Sequence, residues 1–194
     1  MNLLVLGPQG AGKGTQATRI AADYAIPHIS TGDMFRAAVA AQTPLGARVE
    51  PILAAGELVP DDLTVALIQA RLSETDAFDG FILDGFPRNL AQAEALDEML
   101  TLIGRKLDAI LFFDLPHDIA TERMMHRAEM ESRSDDTPDV IARRLEIYEA
   151  TTKPVVEHYR ATGNLVPLHA QRTIEEVYAE VQDAFDELGD RETA

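Results

Sequence analysis

Cysteine is absent from this chain of 194 residues, so it can form neither a disulfide nor a thiolate metal site, and nothing in its redox chemistry points to export. Basic residues are scarce: 17 lysines and arginines stand against 33 acids, for a formal charge of −16. A broad nucleic-acid surface needs clustered positive charge and is excluded on that balance. Any polyanionic ligand must instead be held by a local concentration of cations. No apolar run approaches the roughly 20 residues of a membrane-spanning helix. The first residues also lack the charged-apolar-small order of a leader, so the cytoplasm is the expected compartment. The five histidines are scattered through unrelated segments without metal-ligand spacing. Against these absences, 46% apolar and 26% charged residues form the profile of a globular protein. The length suits one buried domain carrying small inserts better than two independent domains.

Short, nearly continuous apolar runs recur at Leu3–Leu6, Phe81–Leu83, Ala109–Phe113 and Leu165–Leu168, with a weaker one at Ile26–Ile29, and helical patterns separate them. Strands apolar on both faces are covered on both faces, which predicts a parallel sheet between two helical layers, with ligands at the carboxyl ends of the strands. Several helix starts are legible. Thr137-Pro138-Asp139 combines a cap, a first-turn proline and a first-turn acid; Thr173 with Glu176 is a capping box; Val59-Pro60-Asp61-Asp62 opens another helix. From Val140 to Tyr159 the apolar residues trace a helical face that Pro154 should bend or interrupt. Residues 30–59 and 127–137 stand outside the alternating pattern and read as inserts over the strand ends.

Three constellations carry chemistry. Gly7-Pro8-Gln9-Gly10-Ala11-Gly12-Lys13-Gly14-Thr15 follows the first apolar run directly. A strand, a glycine-rich turn and a helix starting near Lys13 aim several backbone N–H groups and a helix N-terminus at one anion, with Lys13 as a mobile point charge for the outer phosphates. The plainer reading is a strand-to-helix turn with an exposed lysine. Second, Phe81-Ile82-Leu83-Asp84-Gly85-Phe86-Pro87-Arg88 delivers an acid at a strand tip and then an arginine. Asp84 there suits a hydrated Mg²⁺ beside phosphates, or else it caps a helix while Arg88 is solvated. Third, arginines are dense from Arg123 to Arg144 in an otherwise acidic chain. Singly they read as solvated helix faces, and together as guanidinium groups converging on phosphate. Asp135 and Asp136 either orient these arginines or merely neutralise the loop.

These residues resemble the adenylate kinase family, in its short-lid form, over nearly the whole chain. The likeness rests on Gly7-x-x-Gly10-x-Gly12-Lys13-Gly14-Thr15-Gln16, Ser30-Thr31-Gly32-Asp33-x-Phe35-Arg36 and Gly56-Glu57-Leu58-Val59-Pro60-Asp61. It continues through Asp84-Gly85-Phe86-Pro87-Arg88 with Gln92, then Arg133-Ser134-Asp135-Asp136 and Arg144-Leu145. It implies an α/β P-loop fold: a five-stranded parallel sheet with helices on both faces, a monophosphate-binding insert (30–59) and a short lid (127–137). It further implies reversible transfer of a phosphoryl group from MgATP to AMP, giving two ADP, by a cytoplasmic monomer without nucleic-acid or membrane partners.

Carried over position by position, the resemblance assigns Gly10, Ala11, Gly12, Lys13, Gly14 and Thr15 to ATP, with Lys13 on the transferred phosphate. Thr31 and Glu57, Leu58 and Val59 would line the AMP base pocket beside Gly85, Phe86 and Pro87, with Gln92 on the adenine edge. Arg36 and Arg88 would clamp the AMP phosphate. Arg127 would face the donor nucleotide with Arg123 one turn earlier, and Arg133 and Arg144 would bridge both phosphate groups. Asp84 would meet Mg²⁺ through water. Arg172 falls beside the donor adenine, where many relatives carry a small residue and the contact is through backbone. The loop departs from the family pattern in carrying Pro8 and Gln9 where proline commonly follows one position later. Ala128–Ser132 lengthens the lid slightly, yet the cysteine quartet of zinc-bearing lids is missing, so no zinc site is expected. Thr31 and Gln92 favour adenine over a pyrimidine acceptor. The alternatives are a UMP/CMP kinase on the same scaffold, a slow nucleotide-binding switch, and an inactive binding module; a switch has no need of the second set of arginines.

Overall fold

The computed structural model describes residues 1–131 and 137–193. Its strands are β1 (Asn2–Leu6), β2 (His28–Ser30), β3 (Phe81–Asp84), β4 (Ala109–Asp114) and β5 (Leu165–His169). They form one sheet of order β2-β3-β1-β4-β5, parallel at every pairing. The expected five strands are therefore present, each at its apolar run. The helices are α1 (Lys13–Tyr24), α2 (Thr31–Ala40), α3 (Pro44–Ala54), α4 (Asp61–Leu72), α5 (Leu90–Leu102), α6 (His117–Glu131), α7 (Pro138–Ile147), α8 (Lys153–Arg160) and α9 (Ile174–Thr193).

Alternation along β1 explains the three layers. Leu3 and Val5 pack with Ile20 of α1, Met124 of α6, Leu145 of α7 and Val181 of α9. Leu4 and Leu6 pack on the opposite face with Ile68 of α4, Leu96 of α5 and Val155 of α8. All four β1 side chains are at most 2% exposed, which places the loop after Leu6 over the middle of the sheet. The apolar run at Leu165–Leu168 reads as a covered strand, but β5 is the sheet edge and Pro167 is exposed there. An edge is where a residue without an N–H is tolerated.

Pro154 does interrupt the long apolar face. It sits in the first turn of α8, and a widened π-type turn, Tyr148–Thr152, separates α7 from α8. Widening accommodates a ring that would otherwise meet the carbonyl one turn back. Within the range expected as an insert from residue 127, α6 continues to Glu131, because Ala128, Glu129, Met130 and Glu131 are good helix formers with no breaker among them.

Between β2 and α4 the insert builds a small core of its own from Phe35, Val49 and Val59. Thr43 caps α3 by accepting the Gly46 N–H at 3.0 Å, and Pro44 occupies the first turn. Here α3 crosses α2 so closely that a Cβ on Gly46 would lie 2.1 Å from the Ala38 carbonyl oxygen. Gly46→Ala should therefore destabilise the protein by about 1–3 kcal/mol through forced separation of the two helices. Urea unfolding reads this, and unchanged stability would show that the crossing tolerates a methyl group.

Candidate active site

Because the strands are parallel, their carboxyl ends share one rim, and the loops leaving it enclose a cleft of about 470 Å³. Lys13, Arg36, Arg88, Arg123, Arg127 and Arg144 all line it, against the acids Asp33, Glu57 and Asp84. In a protein of charge −16 this is the local excess of cations that a polyanion requires.

The phosphate loop occupies one side. Gly10 has φ 81°, and a Cβ there would stand 2.8 Å from the Ala120 carbonyl oxygen, so the turn is open to glycine alone. α1 starts at Lys13 with Gly12 as its cap and no side chain on the first-turn N–H groups, which leaves them for a ligand. Gly12, Lys13, Gly14 and Thr15 line the cleft with Gly10. Ala11 does not: its methyl is buried in the core and its N–H donates to Pro8 O at 3.3 Å, shaping the loop from behind. The Lys13 ammonium folds back over the loop, donating to Gly7 O at 2.9 Å and Pro8 O at 2.7 Å. Burial draws its pKa down to about 8 despite the nearby Asp84 carboxylate, with Arg88 and Arg127 pushing the same way.

From α6, Arg127 lines the cleft while Arg123, one turn earlier, donates to Ala170 O at 2.8 Å and Gln171 O at 3.3 Å. Arg172 is not among the cleft-lining side chains; its guanidinium turns to Glu180 at 2.5 Å.

On the other side, Thr31, Glu57, Leu58, Val59, Gly85, Arg88 and Gln92 line a pocket that adjoins the cleft beneath the insert. Thr31 Oγ1 donates to Gly85 O at 2.9 Å. Gln92 is fixed at both ends of its amide: Nε2 donates to Asp61 Oδ1 at 2.6 Å, and Oε1 accepts the Arg88 N–H at 2.8 Å. Arg88 Nε donates to Gly85 O at 2.8 Å, and Arg88 O accepts Thr152 Oγ1 at 2.8 Å, so the arginine is held at side chain and backbone. Burial lowers its pKa, with Arg144 and Arg36 acting in the same sense over the opposing Asp84; an arginine so shifted remains charged at neutral pH. Pro87 reaches the cleft, whereas Phe86 is 1% exposed in the core and anchors the turn. Arg36 pairs with Asp33 at 2.6 Å. Arg144 lines the cleft and donates to Leu53 O at 3.4 Å, while Arg143 Nε donates to Glu57 Oε1 at 2.7 Å, so α7 grips the insert. Arg133, with Asp135 and Asp136, lies outside the described residues.

Asp84 closes the floor. Burial pushes its carboxyl up, but His28, Lys13 and Arg88 outweigh burial and hold it below the usual carboxylate range, so it is ionised. His28 Nε2 stands 3.6 Å from its Oδ2. Among the described residues no group of three His, Asp or Glu is placed to hold a metal. One ionised carboxylate beside a phosphate cradle fits a Mg²⁺ that keeps its waters and is carried by phosphate oxygens, and does not fit an all-protein cage.

Several contributors escape a reading of the sequence. Asp61 reads there as a helix-start acid, yet it orients Gln92 and Asn89. Asn89 is the cap of α5 and accepts the Gln92 N–H at 2.9 Å; its spacing to Gln92 is a legible cap signature. Thr152 and Glu180 carry no signal, since their partners are distant in the chain or set by a turn.

Among the described residues no helix is long and apolar enough to cross a membrane. The family model for adenylate kinase matches residues 5–164. An adenylate kinase of Cyanothece sp. is 49% identical over 186 residues, covering 96% of this chain and 95% of the relative. Those of Xanthomonas euvesicatoria pv. vesicatoria and Xanthomonas axonopodis pv. citri are each 46% identical over 185 residues, covering 95% of this chain and 99% of theirs. The matched span holds the phosphate loop, the insert, the Asp84–Arg88 turn and the arginines of α6 and α7, and the chain belongs to the adenylate kinase family.

Proposed function

We propose that two nucleotides meet head to head in the cleft, ATP with its phosphates in the loop at Gly10–Thr15 and AMP with its base in the pocket of Thr31, Glu57–Val59 and Gln92. The reaction is the reversible transfer of the terminal phosphoryl group of ATP to AMP, giving two ADP. The observation that carries this arrangement is the convergence of six cationic side chains on one cleft between a phosphate loop and a second, polar-edged pocket.

Little covalent work falls to the protein in phosphoryl transfer. Holding donor and acceptor oxygens in line supplies roughly 7–11 kcal/mol when the geometry is near attack. Lys13, Arg88, Arg123 and Arg144, together with Arg133, stabilise charge on the equatorial oxygens of the group in flight. Arg36 and Arg88 hold the AMP phosphate, and Arg127 the donor. No general base is required. Asp84 would hold Mg²⁺ through its waters, and the ion, when bound, draws charge from the donor phosphates. Residues 30–59 and 127–137 are the parts that close to exclude water as acceptor, adenylate kinases being themselves a standard example of such closure. Arg172 serves the donor side through its neighbours rather than by direct contact. Action as a cytoplasmic monomer, without zinc, nucleic acid or membrane, belongs to the same reading.

A coupled assay of ADP formation from MgATP with AMP, UMP, CMP and GMP tests it. AMP should be preferred by at least about a hundredfold in kcat/KM, because the Gln92 amide and the Thr31 wall are fixed for one base edge. Equal or faster turnover with UMP or CMP would make the acceptor a pyrimidine nucleotide. Binding of ATP and AMP without ADP formation would leave a binding module.

A further inference from the structure

One carboxylate ties down the turn that follows β5. Glu180, on α9 and 19% exposed in its side chain, accepts the His169 N–H at 2.9 Å, faces His169 Nδ1 at 3.2 Å and accepts from Arg172 Nη1 at 2.5 Å. It thus bridges both ends of the segment 169–172, which is also closed by the Arg172 N–H donating to His169 O at 3.1 Å. From the other side, Arg123 grips Ala170 O and Gln171 O, and Gln16 of α1 donates to Ile174 O at 2.8 Å. Those two links set the turn against the elements that carry the phosphate site, since α1 springs from the phosphate loop and Arg123 lines the cleft.

A nucleotide with its phosphates in that loop, facing an acceptor on the insert side, extends its ribose and base the other way, towards Arg123 and the turn it holds. A short surface turn samples many conformations unless something fixes it. Here a largely buried carboxylate with a charge-assisted bond to backbone does so. The Arg172 pair, half exposed, adds little by itself.

We propose that Glu180 is a positioning residue for the donor nucleotide: through the 169–172 turn it sets the wall against which the ribose and base of ATP lie. The inference rests on the orientation of ATP given under Proposed function. It assigns Glu180 no contact with the reacting atoms.

Steady-state kinetics and equilibrium binding on the full chain test it. Glu180→Ala should raise KM for MgATP about tenfold, the worth of one lost charge-assisted hydrogen bond, with kcat and KM for AMP within twofold of the parent. Glu180→Gln keeps an acceptor for the His169 N–H and should fall between the two. Inorganic tripolyphosphate, which has phosphates but no base, should inhibit parent and Glu180→Ala equally. An unchanged KM for MgATP, an equal rise for AMP, or equal weakening of tripolyphosphate would overturn the inference. Should Glu180→Ala fail to fold, Glu180→Gln carries the same comparison, and no effect on MgATP there counts against it. If the parent itself makes no ADP from MgATP and AMP, the fault lies with the proposed function and not with Glu180.

Discussion

Replacing Arg88 with alanine should lower kcat about a thousandfold, in keeping with the value of an arginine that meets transition-state charge in phosphoryl transfer. The size of the effect follows from how the side chain is held. Its Nε is committed to Gly85 O, its backbone N–H to Gln92 and its carbonyl to Thr152, so the outer guanidinium nitrogens project into the cleft with little freedom left to lose. A lysine at the position could not keep the Gly85 bond and present two further donors in one plane, so Arg88→Lys should recover only a small part of the loss. Single-turnover measurements with saturating MgATP and AMP, alongside binding of each nucleotide, separate chemistry from affinity. Near-normal turnover with both nucleotides bound would remove Arg88 from the mechanism.

Lys13→Met should cost a further large factor, about 10²–10³ in kcat, by removing the one cation built into the phosphate loop. It also strips the donor from the Gly7 and Pro8 carbonyls, so weaker binding of MgATP is expected as well. The parent should show a pH dependence that the variant lacks. With a pKa of about 8 in the free protein, Lys13 is charged below that pH and neutral above it. Phosphates favour the charged form, so MgATP affinity should be full below pH 8 and decline above it, with proton uptake on binding. For folding the sign is opposite. The unfolded chain, with a lysine near 10.5, binds more protons between pH 8 and 10.5 than the folded one, so this residue's cost to stability is present below 8 and relieved as pH rises. Calorimetric titration in buffers of different ionisation enthalpy reads the proton uptake; a flat profile from pH 7 to about 9.5 would refute the shifted lysine.

Much of this was legible from one chain. The five strands could be read because each is an apolar run covered on two sides, and the loop and Asp84 because they end such runs. Arg123, Arg127 and Arg144 could be picked out by their density against an acidic background, Arg88 by the strand-tip turn that delivers it, and Arg36 through the family resemblance alone. What could not be read is the choice of partner. Arg172 looks no different in sequence from Arg127, yet one turns to Glu180 and the other lines the cleft, because the carboxylate of α9 reaches one and not the other. The Gln92 amide is oriented by Asp61, 31 residues away, through a contact that only the packed α4–α5 pair creates. Likewise Ala11 sits inside a binding motif but serves the core, its methyl buried in the cluster that holds Leu3, Val5 and Ala120.

The basic hollow in an acidic shell has a kinetic consequence. Far from the surface, MgATP and AMP meet a repelling field; only within about 8 Å, a Debye length at physiological ionic strength, does attraction by the guanidinium groups prevail. Added salt damps the distant repulsion before it weakens contacts deep inside, so nucleotide capture should first quicken and later slacken as ionic strength rises. Discrimination against stray anions is then settled at the mouth of the cleft, by which molecules carry enough phosphate to be worth the passage.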